Sequence, residues 1–413
     1  MGRLNPGRLA AGGALRAVVD GAHVEDALDR LAPKDSRDRG LAWHLALGAL
    51  RHRGEMDACI QAASKRSVEG LDAPVRAALR VASFEIRRSR TSAHAAVHQG
   101  VELVAALGAR RAKGFANAVL RRVGQSKEFP ATINHPDWLI EDWTRRFGAE
   151  PVEAWCRLND TEPVLCLVFQ EAGLEAELRH VEGLELTPAR SGGRTLENTF
   201  WVEGHQGSIE TLPGFESGAF WVMDPSAVLC ADLLEVEPGD RVLDVCAAPG
   251  GKSLRLAAKG AQVLATDRSG PRLRRLEHSV RRTGIEVESR VMDWESSAEL
   301  EGALFDGVLV DAPCTGLGTT RRHPEIRWRV LATDPAAMAL RQARILKAAS
   351  THVREGGLLV YSVCSPMEEE GSAVVRGFLD ATTGYVLEEE ILTAPPQQDE
   401  DAFFAAKLRR VQT

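Results

Sequence analysis

Two cysteines stand where apolar runs break into loop residues. One follows Asp306-Gly307-Val308-Leu309-Val310-Asp311-Ala312-Pro313 as Cys314, and the other follows Tyr361-Ser362-Val363 as Cys364, ahead of Ser365-Pro366. Most isolated cysteines are small core hydrophobes, and Cys59, Cys156, Cys166 and Cys230 are read that way. A thiol at a strand end followed by loop is a poor core residue and a good nucleophile. Beside a nucleoside cofactor it suits chemistry at a pyrimidine, whose carbon 5 is a weak nucleophile. A thiolate adding to carbon 6 makes the ring enamine-like, so that carbon 5 can accept a methyl group. The carbon 5 proton must then leave and the thiol be expelled, a task for a second group. Such a scheme needs an activated thiol and an acid that stabilises charge on the ring. Asp311, three residues before Cys314, is placed for the latter.

The cofactor side is read from Arg241-Val242-Leu243-Asp244-Val245-Cys246-Ala247-Ala248-Pro249-Gly250-Gly251-Lys252-Ser253. A short apolar run, a tight turn and an amphipathic restart predict strand, loop and helix, with two glycines letting backbone approach a ligand at the helix N-terminus. Asp267 ends the next predicted strand, at about the offset where nucleoside-binding folds place a ribose-binding carboxylate. Asp293, after the third strand, is placed to face the same ligand.

These residues need a rigid frame. From Asp224 onward, strands are expected at 241–245, 262–267, 286–291, 307–311 and 358–363, alternating with helices, the longest running from Asp334-Pro335 to Gly356-Gly357. That alternation predicts a doubly wound α/β domain whose ligands bind beyond the carboxyl ends of the strands. Ahead of it, mixed elements (strands at 164–169, 199–202 and 220–223, a helix at 171–181) suggest a small α+β subdomain. Residues from about 8 to 126 read as successive helices, with Leu41, Leu45, Ala49 and Val75, Leu79, Ala82 at helical spacing. A polar stretch with two prolines, 125–136, reads as a linker. The expected division is 1–128, 129–217 and 218–413.

At 413 residues the chain exceeds one ordinary core. Residues 1–130 hold 22 Lys and Arg against 13 Asp and Glu, and the remainder 29 against 45. A basic front on an acidic body suits a polyanionic partner. The Arg pairs 87–88, 110–111 and 121–122, taken singly, read as solvated helix faces. The seven cysteines form no CxxC pair, which argues against a disulfide framework or a zinc site. No apolar run approaches a membrane span, and the first residues lack the pattern of a signal peptide, so a cytoplasmic protein is expected.

Two resemblances sharpen this. Asp38-Arg39 with Leu41-Ala42, His94-Ala95-Ala96-Val97 and Asn117-Ala118-Val119-Leu120-Arg121-Arg122 resemble the NusB-like helical RNA-binding domain. Residues 244–252, 311–319 (Asp-Ala-Pro-Cys-Thr-Gly-Leu-Gly-Thr), 321–328 (Arg-Arg-His-Pro-Glu-Ile-Arg-Trp), 361–365 and 401–406 resemble the RNA 5-methylcytosine methyltransferases, in order and at sensible spacing. The resemblance implies a Rossmann-like class I methyltransferase domain using S-adenosylmethionine. It implies methylation of a cytosine in 16S ribosomal RNA, flipped out or unpaired, on RNA not yet assembled, by a monomer needing no metal. In that pattern Cys364 is the nucleophile, Cys314 assists proton removal or product release, Asp311 holds the cytosine and Lys252 orders Asp311. The cofactor lies against Cys246, Ala247, Ala248, Pro249, Gly250 and Gly251, with Asp267 on the ribose, Arg272 nearby and Asp293 on the adenine side. The chain departs from the family at Met223-Asp224, where Gln-Asp is usual. It departs again at Cys166-Leu167-Val168-Phe169, which lacks the usual Arg and Asn, and at Val363, which replaces a usual Thr.

Rival readings remain at this stage. Gly250-Gly251-Lys252-Ser253 has the end of a phosphate-binding loop, but Cys246 stands where such a loop needs its first glycine. A non-catalytic RNA-binding factor would have no use for both cysteines with Asp311 and Lys252. Another RNA such as tRNA is an alternative substrate. DNA cytosine methyltransferases use a Pro-Cys thiol, an analogy that would exchange the roles of Cys314 and Cys364.

Overall fold

The computed structural model describes residues 4–412 except 127, 206, 297–299, 301 and 396–398. The chain divides into two compact units, Met1–Glu162 with Thr320–Val330, and Pro163–Thr319 with Leu331–Thr413.

The first unit is helical: α1 Pro6–Val19, α2 Val24–Leu31, α3 Ser36–Arg51, α4 Arg53–Ser64, α5 Ala73–Arg88, α6 Ala93–Ala106, α7 Lys113–Val123, α8 Asp137–Phe147 and α9 Ala149–Asn159. Starts are set locally, as where Asn5 caps α1 by accepting from Gly7 N and Arg8 N, with Pro6 in the first turn. The expected apolar stripes do face inward: Leu45 and Ala49 of α3, and Val75, Leu79 and Ala82 of α5, are buried together. Trp143 stacks on Trp155 (centroids 3.8 Å), joining α8 to α9. Arg87 and Arg88 both bind the Glu55 carboxylate, which is 2% exposed; Arg87 is thereby half-buried, whereas Arg88 stays exposed as expected. Arg110, Arg111, Arg121 and Arg122 are exposed as expected.

Residues 320–330 join this unit although they follow Cys314 in the chain. Arg327 is fully buried, donating to Arg51 O (3.1 Å), Asn134 O (3.3 Å), Asp160 Oδ1 (3.0 Å) and Asn159 O. Burial pushes its pKa down while Asp160 acts against that shift. A guanidinium with this many fixed acceptors holds three separate stretches of chain in register.

The second unit begins with β1 Leu165–Phe169, α10 Ala176–Arg179, β2 Glu185–Ser191, β3 Arg194–Glu203 and β4 Phe220–Val222. These strands form an antiparallel sheet in the order β2-β3-β1-β4. Strand β2 was not expected, and the helix expected at 171–181 shrinks to four residues. Then follow α11 Pro225–Asp232, β5 Arg241–Val245, α12 Gly251–Ala258, β6 Gln262–Asp267, α13 Gly270–Thr283, β7 Glu288–Val291 and β8 Phe305–Asp311. After α14 Ile326–Arg329, which belongs to the first unit, come α15 Asp334–Ser350, β9 Val353–Val363, α16 Ser372–Ala381, β10 Tyr385–Leu392 and β11 Phe404–Arg410.

The seven-stranded sheet runs β10-β11-β9-β8-β5-β6-β7. Strands β5 to β9 are parallel, whereas β11 and β10 add antiparallel at the far edge, which leaves the sheet parallel-rich as expected. Helix α15 ends at Ser350, and Gly356-Gly357 lie inside β9. A Cβ on Gly357 would sit 2.7 Å from Asp306 O, so this glycine lets β9 pass β8 closely. Val242, Leu243, Val308, Leu309, Leu359 and Val360 are wholly buried. Each such side chain contributes about 1.5–3 kcal/mol on leaving water. The chain winds outward from β5 to β7 on one side and from β8 to β9 on the other, so β5 and β8 flank the switch point where such sheets bind ligands.

Candidate active site

Strand β5 delivers Cys246, whose φ of 63° places a non-glycine residue in the left-handed region directly after the sheet. Strain of this kind persists only where the surroundings impose it. Ala247 N donates to Thr266 O (2.9 Å) and Ala248 N to Asp267 Oδ2 (3.3 Å), pinning the loop to β6. Arg272 returns from α13 to donate to Ala248 O and lies 3.6 Å from Asp267. Pro249 leads into Gly250, with φ at 108°, and α12 opens at Gly251 without a side-chain cap. One of the glycines also has a packing reason. A Cβ on Gly250 would lie 2.3 Å from Leu276 Cδ1, so its absence serves helix packing, while one on Gly251 would make ordinary contact with Met223.

Strand β8 delivers Asp311, and Lys252 from the first turn of α12 meets its Oδ2 at 2.7 Å. The opposite oxygen accepts from Ser362 Oγ (3.1 Å), the residue in register with Asp311 on β9. Lys252 is 8% exposed and lies over the Phe403 ring. Burial opposes its charge, but the neighbouring Asp311 outweighs that and holds the ammonium above its usual range.

Beyond these strand ends the two thiols meet, Cys314 Sγ lying 3.2 Å from Cys364 Sγ. Gly318 makes the approach possible, since its N donates to Cys364 O (3.0 Å) and a Cβ there would fall 1.7 Å from Ala402 O. The Cys314 thiol is pushed well up by its hydrogen bond with Cys364 and by burial, with Glu370 adding to both. The four cysteines read as core residues, 59, 156, 166 and 230, are all buried, whereas 246, 314 and 364 are half-buried.

Asp267 and Asp244 border the loop on the cofactor side. Asp267 accepts from Ala248 N and Ser269 N (2.8 Å), which leaves about half the capacity of a carboxylate. Asp244 is fully buried, accepts from Ser253 Oγ (2.5 Å), and keeps Oδ1 without a partner. Burial pushes its pKa up to about 7. Asp293 is exposed past β7, where it accepts from Glu295 N (3.0 Å). An uncapped helix start, spare carboxylate oxygens and an orphaned buried acceptor fit a ligand carrying a ribose and an ammonium. Among the described residues no group of three or more His, Cys, Asp or Glu could hold a metal ion. Nor is any helix among them long and apolar enough to cross a membrane.

Sequence reasoning overlooked Ser362, Thr315, Ser365, Gln342 and Glu370, which surround the cysteines (below). Only the Ser of the Tyr-Ser-Val-Cys stretch carried a signal, as a polar residue in an otherwise apolar strand.

A sheet of this topology with these strand ends is that of a class I methyltransferase. The family model described as 16S rRNA methyltransferase RsmB/F matches residues 231–409, and that of the NusB family matches residues 6–125. Ribosomal RNA small subunit methyltransferase B of Pseudomonas syringae pv. tomato is 34% identical over 92% of this chain and 88% of its own length. Its namesake from Citrobacter koseri is 31% identical over 99% of both. The crystal structure of PH0851 superposes with a TM-score of 0.81 at 23% identity, covering 99% of this chain and all of that one. NSun6 from Pyrococcus horikoshii with SFG gives 0.58 at 22% identity over 67% of this chain and 99% of its own. The chain belongs to the 16S rRNA methyltransferase RsmB/F family, with a NusB-family domain in front. It is an enzyme, and its methyl donor is S-adenosylmethionine. That membership disposes of the nucleotide-hydrolase rival.

Proposed function

We propose that the protein methylates carbon 5 of a cytosine in 16S ribosomal RNA, with Cys364 as nucleophile at carbon 6. The observation that carries this reading is the pair of sulfurs 3.2 Å apart beside an aspartate held by Lys252 and Ser362. Cys314, half-buried and kept as a thiol, can donate a hydrogen bond to the sulfur of Cys364. That leaves Cys364 to act as the thiolate that adds to carbon 6. Loss of the carbon 5 proton to water, with Cys314 assisting, re-forms the 5,6 double bond while the carbon–sulfur bond breaks and Cys364 leaves as thiolate. Asp311, paired with an ammonium, presents acceptor oxygens, which suit the exocyclic amine of cytosine and oppose the carbonyl that uracil carries there. Bound S-adenosylmethionine supplies the electrophilic methyl group. Asp267 would bind its ribose, with the Cys246–Gly251 loop and the start of α12 against the rest, Arg272 holding the loop and Asp293 on the adenine side.

The basic front supports RNA binding, with Arg110, Arg111 and Arg121 exposed on it. The substrate is then RNA met before assembly, in the cytoplasm, by a monomer. The test is incubation with donor labelled in its methyl group and unmodified small-subunit RNA, with Cys364→Ala in parallel. Label on cytosine carbon 5, lost in the variant, is expected. Label surviving in the variant would move the nucleophile to Cys314, and no transfer by the wild type would refute the reading.

A further inference from the structure

Neither cysteine is held by its own contacts alone. Pro313 and Thr315 flank Cys314, Ser365 follows Cys364, and all three are tied to one cluster. The carboxylate of Glu370, just before α16, is wholly buried. Its Oε1 accepts from Thr315 N (2.8 Å) and Gln342 Nε2 (3.2 Å). Its Oε2 accepts from Thr315 Oγ1 and Ser365 Oγ, each at 2.5 Å. Gln342, reaching in from α15, also donates to Pro313 O (3.0 Å). Tyr361 Oη donates to Glu370 O (2.6 Å), so the carboxylate's own backbone is anchored to β9.

We propose that Glu370 is a positioning residue that clamps the loops after Cys314 and Cys364 together and so sets the distance between the two sulfurs. The inference rests on the two-cysteine reading of the active site given above. A carboxylate accepts about four hydrogen bonds, and here all four donors come from the loops or from the helix behind them. Its contacts reach the residue after each cysteine and neither sulfur, so it acts through them. Burial pushes the Glu370 pKa up while the Ser365 and Thr315 donors act against this. Because the two partners of Oε1 are obligate donors and the two of Oε2 are rotatable hydroxyls, an amide could keep the arrangement. Its oxygen would face Thr315 N and Gln342, and its NH2 would face hydroxyls turned to accept. Glu370→Gln therefore removes the charge and keeps the clamp, whereas Glu370→Ala removes both.

Sulfur spacing can be read without methyl transfer. Diamide withdraws the hydrogens of two adjacent thiols, becoming the hydrazine as one S–S bond forms, at a rate that depends on their approach. Peptide mapping by mass spectrometry follows the Cys314–Cys364 cross-link in the full chain. Wild type and Glu370→Gln are expected within about threefold of each other, with Glu370→Ala at least about tenfold slower. Calorimetric binding of S-adenosylmethionine should be unchanged in all three. Methyl transfer should fall about a hundredfold in kcat for Glu370→Ala, at constant KM, and be restored in Glu370→Gln, as for a misplacement of about 1 Å. Wild-type cross-linking and kcat in Glu370→Ala would overturn the proposal, as would a loss in Glu370→Gln equal to that in Glu370→Ala. Should Glu370→Ala not fold, Ser365→Ala removes the Cys364 tether alone, and a wild-type cross-linking rate there refutes the clamp. Cross-linking rates that differ as stated, with no methylation by the wild type, would sink the functional reading and leave the clamp standing.

Discussion

Lys252 and Asp311 offer the sharpest energetic test of the site. The pair is short, 2.7 Å, and unequal: the lysine side chain is 9% exposed and the aspartate side chain 29%. Removing one partner of a fully buried pair costs about 3–5 kcal/mol, mostly through the charge left behind. In Asp311→Asn the stranded charge is the buried ammonium, and partial water access at position 311 brings the expected cost to about 2 kcal/mol. In Lys252→Met the stranded carboxylate can hydrate and the aliphatic stem still packs on Phe403, so about 1 kcal/mol is expected. The double variant strands nothing and should also lose about 1 kcal/mol, a coupling of about 2 kcal/mol. For a unit of this size each kcal/mol moves the midpoint by about 2–4 °C, so Asp311→Asn should melt about 4–8 °C lower. Scanning calorimetry gives the four values. If the single effects add within about 0.5 kcal/mol, the ion pair does not hold Asp311, and the argument that Lys252 presents it to the base is wrong.

Three further outcomes are expected. Cys314→Ala should accumulate a denaturant-resistant protein–RNA adduct that Cys364→Ala does not form, visible as a retarded band on denaturing gels; the reverse pattern exchanges the two roles. Asp244 titrates near 7 when folded against 3.8 as its ordinary value, so the unfolded chain loses its proton first and stability falls as pH rises from about 4 to 7, levelling above. Urea midpoints at pH 5 and pH 8 should show a loss on the order of 2 kcal/mol that Asp244→Asn lacks. Arg327→Met leaves half-buried Asp160 and several carbonyls without their donor, and should lower the melting midpoint by about 10 °C, from a cost of about 3–5 kcal/mol.

The strands that carry the chemistry were legible because burial on both faces makes them unbroken apolar runs, as in Val308–Val310 and Leu358–Val360. Edge strands lack that mark. In β10, Val386-Leu387-Glu388-Glu389-Glu390 mixes exposed apolar and acidic residues, and β2 offers one buried residue in two or three. The first half of β9, Arg354-Glu355-Gly356-Gly357, reads as the close of the preceding helix until Asp306 is seen beside it. Glu370 was hidden differently. It ends a run of three glutamates that reads as a solvated patch, and Glu368 and Glu369 are indeed exposed, while the third turns inward to four donors. Arg87 was disguised in the same way, since only the fold brings Glu55 against it. Periodicity reports which face is apolar, and it is silent on which charge a distant segment will neutralise.

The membership of residues 320–330 in the first unit also bears on how the chain is made. Translation releases Glu162 long before Arg327 exists, at about 5–20 residues per second, so Asp160 and the carbonyls of Arg51 and Asn134 wait from roughly ten seconds to about a minute for their donor. The helical front can collapse early around its apolar stripes, but it closes only after β5 to β8 have emerged. The unit begun first is finished by a segment synthesised within the other, and no single cut in the polypeptide separates the two whole.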